Sequence, residues 1–104
     1  MKRSEKSLRR TIAQSKKPLI ILFTAEWCRP CVATLKEIGH IRSSRFVPRI
    51  IEVDIERNPE IGNAFGVINL PTLMLYENGR RKKMHVGAWC SDNAMSSFLR
   101  WPNR

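Results

Sequence analysis

The sequence predicts an α/β domain built on a four-stranded mixed sheet with helices on both faces. Apolar runs of strand length alternate along the chain with segments of helical periodicity, which favours parallel strands joined by helices. An Asn-Gly pair at residues 78–79 indicates a tight hairpin, which adds an antiparallel edge strand. The chain has 104 residues, 42% of them hydrophobic, and this composition is typical of one globular domain spanning residues 1–104.

The first helix and the first strand follow from periodicity and from one proline. Residues 4–16 predict a helix, because Leu8 and Ile12 form an apolar stripe and Ser4 can cap its start. Residues 18–24 form a continuous apolar run that begins at a proline. Such a run is typical of a strand that is buried on both faces.

The middle of the chain predicts two helices around a second strand. Pro30 suits the first turn of a helix that runs to about Ser44, since its missing N–H would have no partner there. Residues 49–55 predict the second strand. Residues 58–59, Asn-Pro, are a helix-start signal, and the short helix that follows should end near Gly66.

The hairpin and a final helix complete the predicted order αβαβαββα. Residues 72–76 predict the third strand, and residues 82–86 predict its partner across the Asn-Gly turn. Ser91 can cap a last helix, whose apolar residues are Ala94, Met95, Phe98 and Leu99.

Two cysteines, Cys28 and Cys31, carry the chemistry that the sequence predicts. They flank Arg-Pro at the point where the first strand gives way to a helix. Unpaired N–H groups and the helix dipole at a helix N-terminus stabilise a thiolate, and the thiolate is the nucleophilic form. Cys31 lies one helical turn later, so its sulfur can attack a mixed disulfide formed by Cys28. The spacing therefore indicates a redox-active dithiol.

Two other interpretations of this pair stay open at this point. A zinc or iron–sulfur site would need further ligands, and the candidates Cys90, His40 and His85 show no paired spacing. Two inert buried cysteines are the other alternative, although Pro30 and the strand-to-helix position argue against it. We therefore predict no metal site. Cys90 itself is interpreted as a small buried hydrophobe or, alternatively, as a third redox thiol.

Four segments of the chain resemble the thioredoxin family. Residues 25–31, Ala-Glu-Trp-Cys-Arg-Pro-Cys, resemble its active site, and residues 69–72, Asn-Leu-Pro-Thr, resemble its cis-proline loop. The Asn-Gly pair at residues 78–79 and the Val-Gly-Ala at residues 86–88 lie at the positions where the family has similar residues. The resemblance covers about residues 4–100. It implies a thioredoxin-like fold and thiol–disulfide exchange with protein substrates. It also implies that no metal or organic cofactor is needed and that a separate reductase supplies electrons.

The resemblance implies a role for each matching residue. Cys28 attacks the substrate disulfide and Cys31 resolves the mixed disulfide. Pro71 is expected to be cis and to pack against the sulfurs, the alternative being an ordinary trans proline that opens a strand. The substrate-binding residues that the resemblance implies are Trp27, Arg29, Pro30, Leu70, Pro71, Gly87 and Ala88.

The sequence departs from the family at two buried positions. Leu22 stands where the family has a buried aspartate, and Glu52 stands where that aspartate has a lysine partner. We expect Glu52 to lie on a buried strand below the cysteines, where its uncharged form is favoured and it can accept the proton of Cys31. The alternative is that Glu52 points aside and pairs with a neighbouring Arg or Lys.

Arg29 is a third departure, since the family usually has glycine between the cysteines. A guanidinium beside Cys28 should stabilise the thiolate, and a more stable reduced form makes the couple more oxidising. The alternative is that Arg29 is solvated and chiefly sets partner preference.

The net charge of +10 comes from 19 Lys and Arg against 9 Asp and Glu, concentrated in residues 1–17 and 80–83. These blocks suit nucleic acid, an anionic membrane or an acidic partner. The alternative is that they form solvated faces and protect a sheet edge from pairing. The chain has no motif for specific nucleic-acid recognition and no apolar run that approaches the ~20 residues of a membrane span. Residues 1–17 weakly resemble a mitochondrial transit peptide, but the first helix needs them.

Two functions follow from the sequence. The first is a protein-disulfide oxidoreductase, acting as a reductase in the cytoplasm because no export signal is seen. The alternative is a non-enzymatic module that binds a partner through its groove and basic surface. Retention of both cysteines and of Pro71 favours the enzyme.

Overall fold

Three helices and four strands alternate in the computed structural model, which describes residues 4–44, 47–88, 95, 98 and 99. The elements lie where the sequence predicts them, with ends that differ by one or two residues. Met95, Phe98 and Leu99 are helical, whereas Ser91 and Ala94 of the predicted last helix lie outside the described residues. The elements are α1 Glu5–Gln14, β1 Leu19–Thr24, α2 Arg29–Ser44, β2 Arg49–Asp54, α3 Pro59–Ala64, β3 Thr72–Glu77 and β4 Arg80–Val86.

The strands form one mixed sheet in the order β2-β1-β3-β4. β1 pairs in parallel with β2 and antiparallel with β3, which itself pairs antiparallel with β4. The first five residues of β1 are buried, as its continuous apolar run predicts for a central strand. The predicted four-stranded mixed sheet is therefore confirmed.

Helices cover both faces of this sheet, and alternate residues of β1 serve the two sides. Ile21 and Phe23 pack in one cluster with apolar residues of α1 and α3, and the Phe23 and Phe65 rings lie 5.6 Å apart. Ile20 and Leu22 pack in a second cluster with Ile38 of α2 and with the helical residues 95 and 99. Each fully buried side chain of this size contributes roughly 1.5–3 kcal/mol through the hydrophobic effect.

The predicted helix starts are found at α1 and α3, with one difference in detail. The Ser4 hydroxyl accepts a hydrogen bond from the N–H of Ser7 at 3.0 Å, which caps α1. Pro59 occupies the first turn of α3, but the side chain of Asn58 makes no capping hydrogen bond. Instead its Nδ2 donates to the carbonyl of Asp54 at 2.9 Å and ties α3 to the end of β2.

The Asn-Gly hairpin is confirmed by backbone angles that few other residue pairs adopt. Asn78 has φ 53° and Gly79 has φ 77°, and two consecutive positive φ values are what a type I′ turn requires. A Cβ placed on Gly79 would lie 3.8 Å from the Cα of Ala13, so the turn packs against the C-terminal half of α1.

Candidate active site

Cys28 and Cys31 are disulfide-bonded at the N-terminus of α2, with Cα atoms 5.2 Å apart. Both are buried, with exposed fractions of 3% and 0%. The backbone N–H of Cys31 donates to Sγ of Cys28 at 3.2 Å. The same N–H can stabilise a thiolate at this sulfur once the disulfide is reduced.

The turn between β1 and α2 places Cys28 at the start of the helix. The Cys28 N–H donates to the carbonyl of Ala25 at 3.1 Å, and the Cys28 carbonyl accepts from the N–H of Val32 at 3.3 Å. The first turn of α2 contains no acidic residue. The positive end of the helix dipole therefore acts on Cys28 without an opposing carboxylate in that turn.

Two further loops are joined beside the dithiol. The Leu70–Pro71 peptide bond is cis, as the sequence predicts, and Leu70 packs against the cluster formed by Ala25, Cys28 and Cys31. The carbonyl of Pro71 accepts a hydrogen bond from the N–H of Gly87 at 2.7 Å. This bond brings the predicted substrate-binding loops together.

Exposed apolar side chains are found on the segments that carry the site. Trp27 is 65% exposed, and Pro30 and Ala88 are also exposed. The charged side chain of Arg29 is exposed as well. Sequence reasoning missed Ile68, which is 88% exposed three residues before Pro71, and Val86, which is 46% exposed. Ile68 has no signal in the sequence, and Val86 stands in the Val-Gly-Ala that matches the family but was not predicted to bind substrate. From sequence alone, an exposed apolar side chain cannot be distinguished from a core residue.

The prediction that Glu52 is buried is wrong. Glu52 is exposed, because it lies on the edge strand β2, which has a neighbour on one side only within the described sheet. It is paired in register with Leu22 of β1, so it lies on the sheet face that α2 covers. With Val32 and Leu35 of α2 it lines a pocket of about 410 Å³. Leu22 is fully buried and leaves no carboxyl group at its position.

The remaining candidates for metal binding do not converge in the described part of the chain. His40 is exposed, and the His85 ring lies 6.2 Å from that of Phe98. No group of three His, Cys, Asp or Glu side chains there could hold a metal ion. Cys90 lies outside the described residues. None of the described helices has the length and apolar character to cross a membrane.

Comparisons with known proteins agree with this geometry. The family model described as thioredoxin matches residues 1–100. The thioredoxin of Rickettsia bellii is 31% identical over 103 residues, covering 96% of this chain and 92% of that protein. The thioredoxin of Mycobacterium tuberculosis is 33% identical over 91 residues, covering 85% and 77% respectively.

Solved structures match the fold. Oxidised mitochondrial thioredoxin 3 from Saccharomyces cerevisiae superposes with a TM-score of 0.77 at 24% identity, over 90% of this chain and 86% of that one. Oxidised thioredoxin from Plasmodium falciparum gives a TM-score of 0.74 at 25% identity, over 91% of this chain and 88% of that one.

Proposed function

The chain belongs to the thioredoxin family and is a thiol–disulfide oxidoreductase, and from this premise we propose that it reduces protein disulfides through Cys28 and Cys31. The observation that carries the proposal is the disulfide between these cysteines at the N-terminus of α2, with Leu70 packed against them. A module that only binds a partner needs no such pair, so the non-enzymatic alternative is not retained.

The proposed reaction transfers two electrons in two displacement steps. The Cys28 thiolate attacks one sulfur of the substrate disulfide, forms a mixed disulfide and expels the other substrate sulfur as a thiolate. Cys31 then loses its proton, and its thiolate attacks Sγ of Cys28. The Cys28–Cys31 disulfide forms and the second substrate thiolate leaves. A separate reductase returns two electrons to the protein.

The hydrogen bond between Cys31 N–H and Sγ of Cys28 supports the assignment of Cys28 as the attacking residue. At the helix N-terminus this donor and the dipole act on the same sulfur, and both favour the thiolate. Cys31 lies inside the helix and is fully buried, which suits a thiol that reacts only with its neighbour.

The exposed apolar side chains of Trp27, Ile68 and Val86 support a protein substrate. Apolar groups left in water near a reactive thiol gain stability when a polypeptide covers them. We propose that Leu70 pairs with the substrate backbone, and that Arg29, Pro30, Gly87 and Ala88 line the bound segment. A reductase role suits a reducing compartment, and the cytoplasm is the one we propose.

Trapping of mixed disulfides tests the two roles. Cys31→Ser retains the attacking thiol but cannot resolve the mixed disulfide, so it should form covalent complexes with protein substrates that dithiothreitol releases. Cys28→Ser is the matched control and should form none through Cys31, because that thiol is fully buried. Non-reducing electrophoresis with mass spectrometry measures both. Complexes through Cys31 in the control would reverse the assignment.

Arg29→Gly should make the protein a stronger reductant. Removal of the guanidinium destabilises the Cys28 thiolate and with it the reduced form. Because Arg29 is exposed and its charge is screened, we expect a fall in potential of about 10–20 mV, on a scale where 30 mV is about 1.4 kcal/mol. A glutathione redox titration measures it, with Arg29→Lys as the control that keeps the charge. An equal or higher potential for the glycine variant would refute the charge effect.

We propose that Glu52 accepts the proton of Cys31, a role supported by its place on the sheet face that α2 covers and in the pocket beside that helix. Because the carboxylate is solvated, Glu52→Gln should slow resolution by only about threefold to tenfold and shift its pH profile. Stopped-flow tryptophan fluorescence follows the step. Glu26→Gln, which changes another exposed acid of the same pocket, is the control. An unchanged profile for Glu52→Gln would exclude the role.

A further inference from the structure

Two basic segments that are distant in the sequence form one surface at the end of the sheet opposite Cys28. The hairpin turn packs against α1, with Gly79 next to the backbone of Ala13. The cations that α1, the residues after it and the hairpin contribute are Lys6, Arg9, Arg10, Lys16, Lys17, Arg80, Arg81 and Lys82. We call this set the basic surface. Lys83 is not included, because it is paired with Leu75 and lies 5.8 Å from the Phe98 ring on the other face of the sheet.

Tyr76 shows that the two segments meet. Burial raises the pKa of its hydroxyl, and the charges of Arg81 from the hairpin and Arg9 from α1 lower it in part. Arg81 is paired in register with Tyr76 across the hairpin, and Arg9 of α1 acts on the same hydroxyl, so both elements present a guanidinium to this face of the sheet. The surface is continuous from the helix to the hairpin.

Contacts within the protein hold two of these arginines in place. The Arg9 guanidinium lies 4.6 Å from the centre of the Phe65 ring, and its Nε donates to Glu5 at 2.8 Å. Arg81 Nη1 lies 3.7 Å from the sulfur of Met84. Side chains that are already ordered lose less conformational entropy when they bind a charged ligand.

The charge of the surface is strongly unbalanced. The surface contains eight Lys and Arg against two acids of the same segments, Glu5 and Glu77, and Glu5 is already paired with Arg9. α1 is about 15 Å long, so its cations are closely spaced. The negative charges of a polyanion are spaced closely enough to pair with several of them at once. The apolar residues of α1, Leu8 and Ile12, are buried in the core.

We propose that the basic surface binds the phosphate backbone of nucleic acids without reading their sequence. A protein interface of useful affinity needs an apolar centre, and a helix that binds a membrane needs apolar residues to insert. α1 offers neither, because its apolar residues face the core, and the hairpin strand adds a single exposed apolar side chain beside Arg81, that of Met84. Phosphate contacts need only ordered cations. An acidic protein and an anionic membrane are therefore the competing outcomes of the test.

Binding there leaves the dithiol accessible. Leu19, at the start of β1, is paired with Tyr76 beside the hairpin, whereas Cys28 follows the other end of β1. The hairpin part of the basic surface lies about 20 Å from Cys28 along the strand direction. The protein can then act on disulfides while it stays on a nucleic acid.

Fluorescence anisotropy with two labelled DNA duplexes of unrelated sequence tests the proposal on the full chain in dithiothreitol. We expect equal affinity for both duplexes and a strong dependence on salt. With about five phosphates neutralised, affinity should fall roughly 500-fold between about 50 and about 200 mM salt. No saturable binding at the lower salt concentration, or binding that salt leaves unchanged, would overturn the proposal.

A pair of variants with equal charge locates the binding. Arg10→Gln/Lys82→Gln removes one exposed cation from each segment and should lower the salt slope by about two. Lys36→Gln/Arg57→Gln removes two exposed cations elsewhere and should leave the slope unchanged. If both variants lowered the salt slope equally, DNA binding would depend on net charge and not on the basic surface, which would overturn the proposal. Tighter binding to polyglutamate or to phosphatidylserine vesicles than to DNA would overturn the choice of ligand.

Discussion

Cys28→Ser is expected to abolish the reduction of insulin by dithiothreitol that the wild-type protein catalyses, leaving only the background rate of dithiothreitol alone. A serine hydroxyl at this position stays protonated at neutral pH, and the thiolate is the group that attacks a disulfide. The helix N-terminus and the N–H of Cys31 stabilise an anion only where an ionisable thiol is present. The precipitation of reduced insulin chains gives the rate.

A matched variant separates loss of chemistry from loss of fold. Ala33→Ser introduces the same hydroxyl at an exposed position of α2 and should leave the rate unchanged. Circular dichroism should give the same spectrum for the wild-type protein and both variants. Catalysis by Cys28→Ser at the wild-type rate, or the absence of catalysis by the wild-type protein, would contradict the role of Cys28.

Leu22→Asp is expected to lower the free energy of unfolding by about 3–5 kcal/mol, although the family carries an aspartate there. Leu22 is fully buried among the apolar residues of the cluster that includes Ile20, Ile38 and Leu73. The substitution removes apolar contacts and places a carboxyl group where Glu52, on the neighbouring strand, adds a like charge instead of a lysine.

The loss at residue 22 should grow with pH. Burial favours the uncharged carboxyl, so the pKa in the folded variant lies above the unfolded value of about 3.9. The unfolded state then releases its proton first, and stability falls as the pH rises above that value. Leu22→Asn is the control, since it has similar size and no charge and should lose stability without this dependence. Urea unfolding at about pH 4 and pH 7 compares them; equal losses for Leu22→Asp at both would contradict the burial argument.

The sequence predicted most of the fold because its signals are local. Pro18 and the apolar run after it define β1, and Asn78 with Gly79 defines the hairpin through backbone angles that these residues adopt easily. Glu52 shows what local signals do not predict. Its strand was predicted, but whether a strand lies at the edge or the centre of a sheet depends on how all strands pair.

The site was predicted to the extent that it lies in continuous motifs. Cys28, Cys31 and Pro71 stand in segments that can be recognised residue by residue. The exposed Ile68 and Val86 were missed because they are distant in sequence. Ile68 precedes Pro71 and Val86 ends β4, and the hydrogen bond from Gly87 N–H to the Pro71 carbonyl joins these two segments. The basic surface could not be predicted for the same reason. The turn at Gly79 and the part of α1 around Ala13 are distant in sequence and adjacent in space.

A single-turnover experiment tests the central claim that Cys28 and Cys31 deliver two electrons to a protein disulfide. The fully reduced protein is mixed with insulin without any other reductant, and mass spectrometry follows both partners. We expect one Cys28–Cys31 disulfide, seen as the loss of two hydrogens from the protein, for each insulin disulfide reduced. Reduced protein that persists beside intact insulin, or a disulfide that pairs either residue with Cys90, would contradict the account.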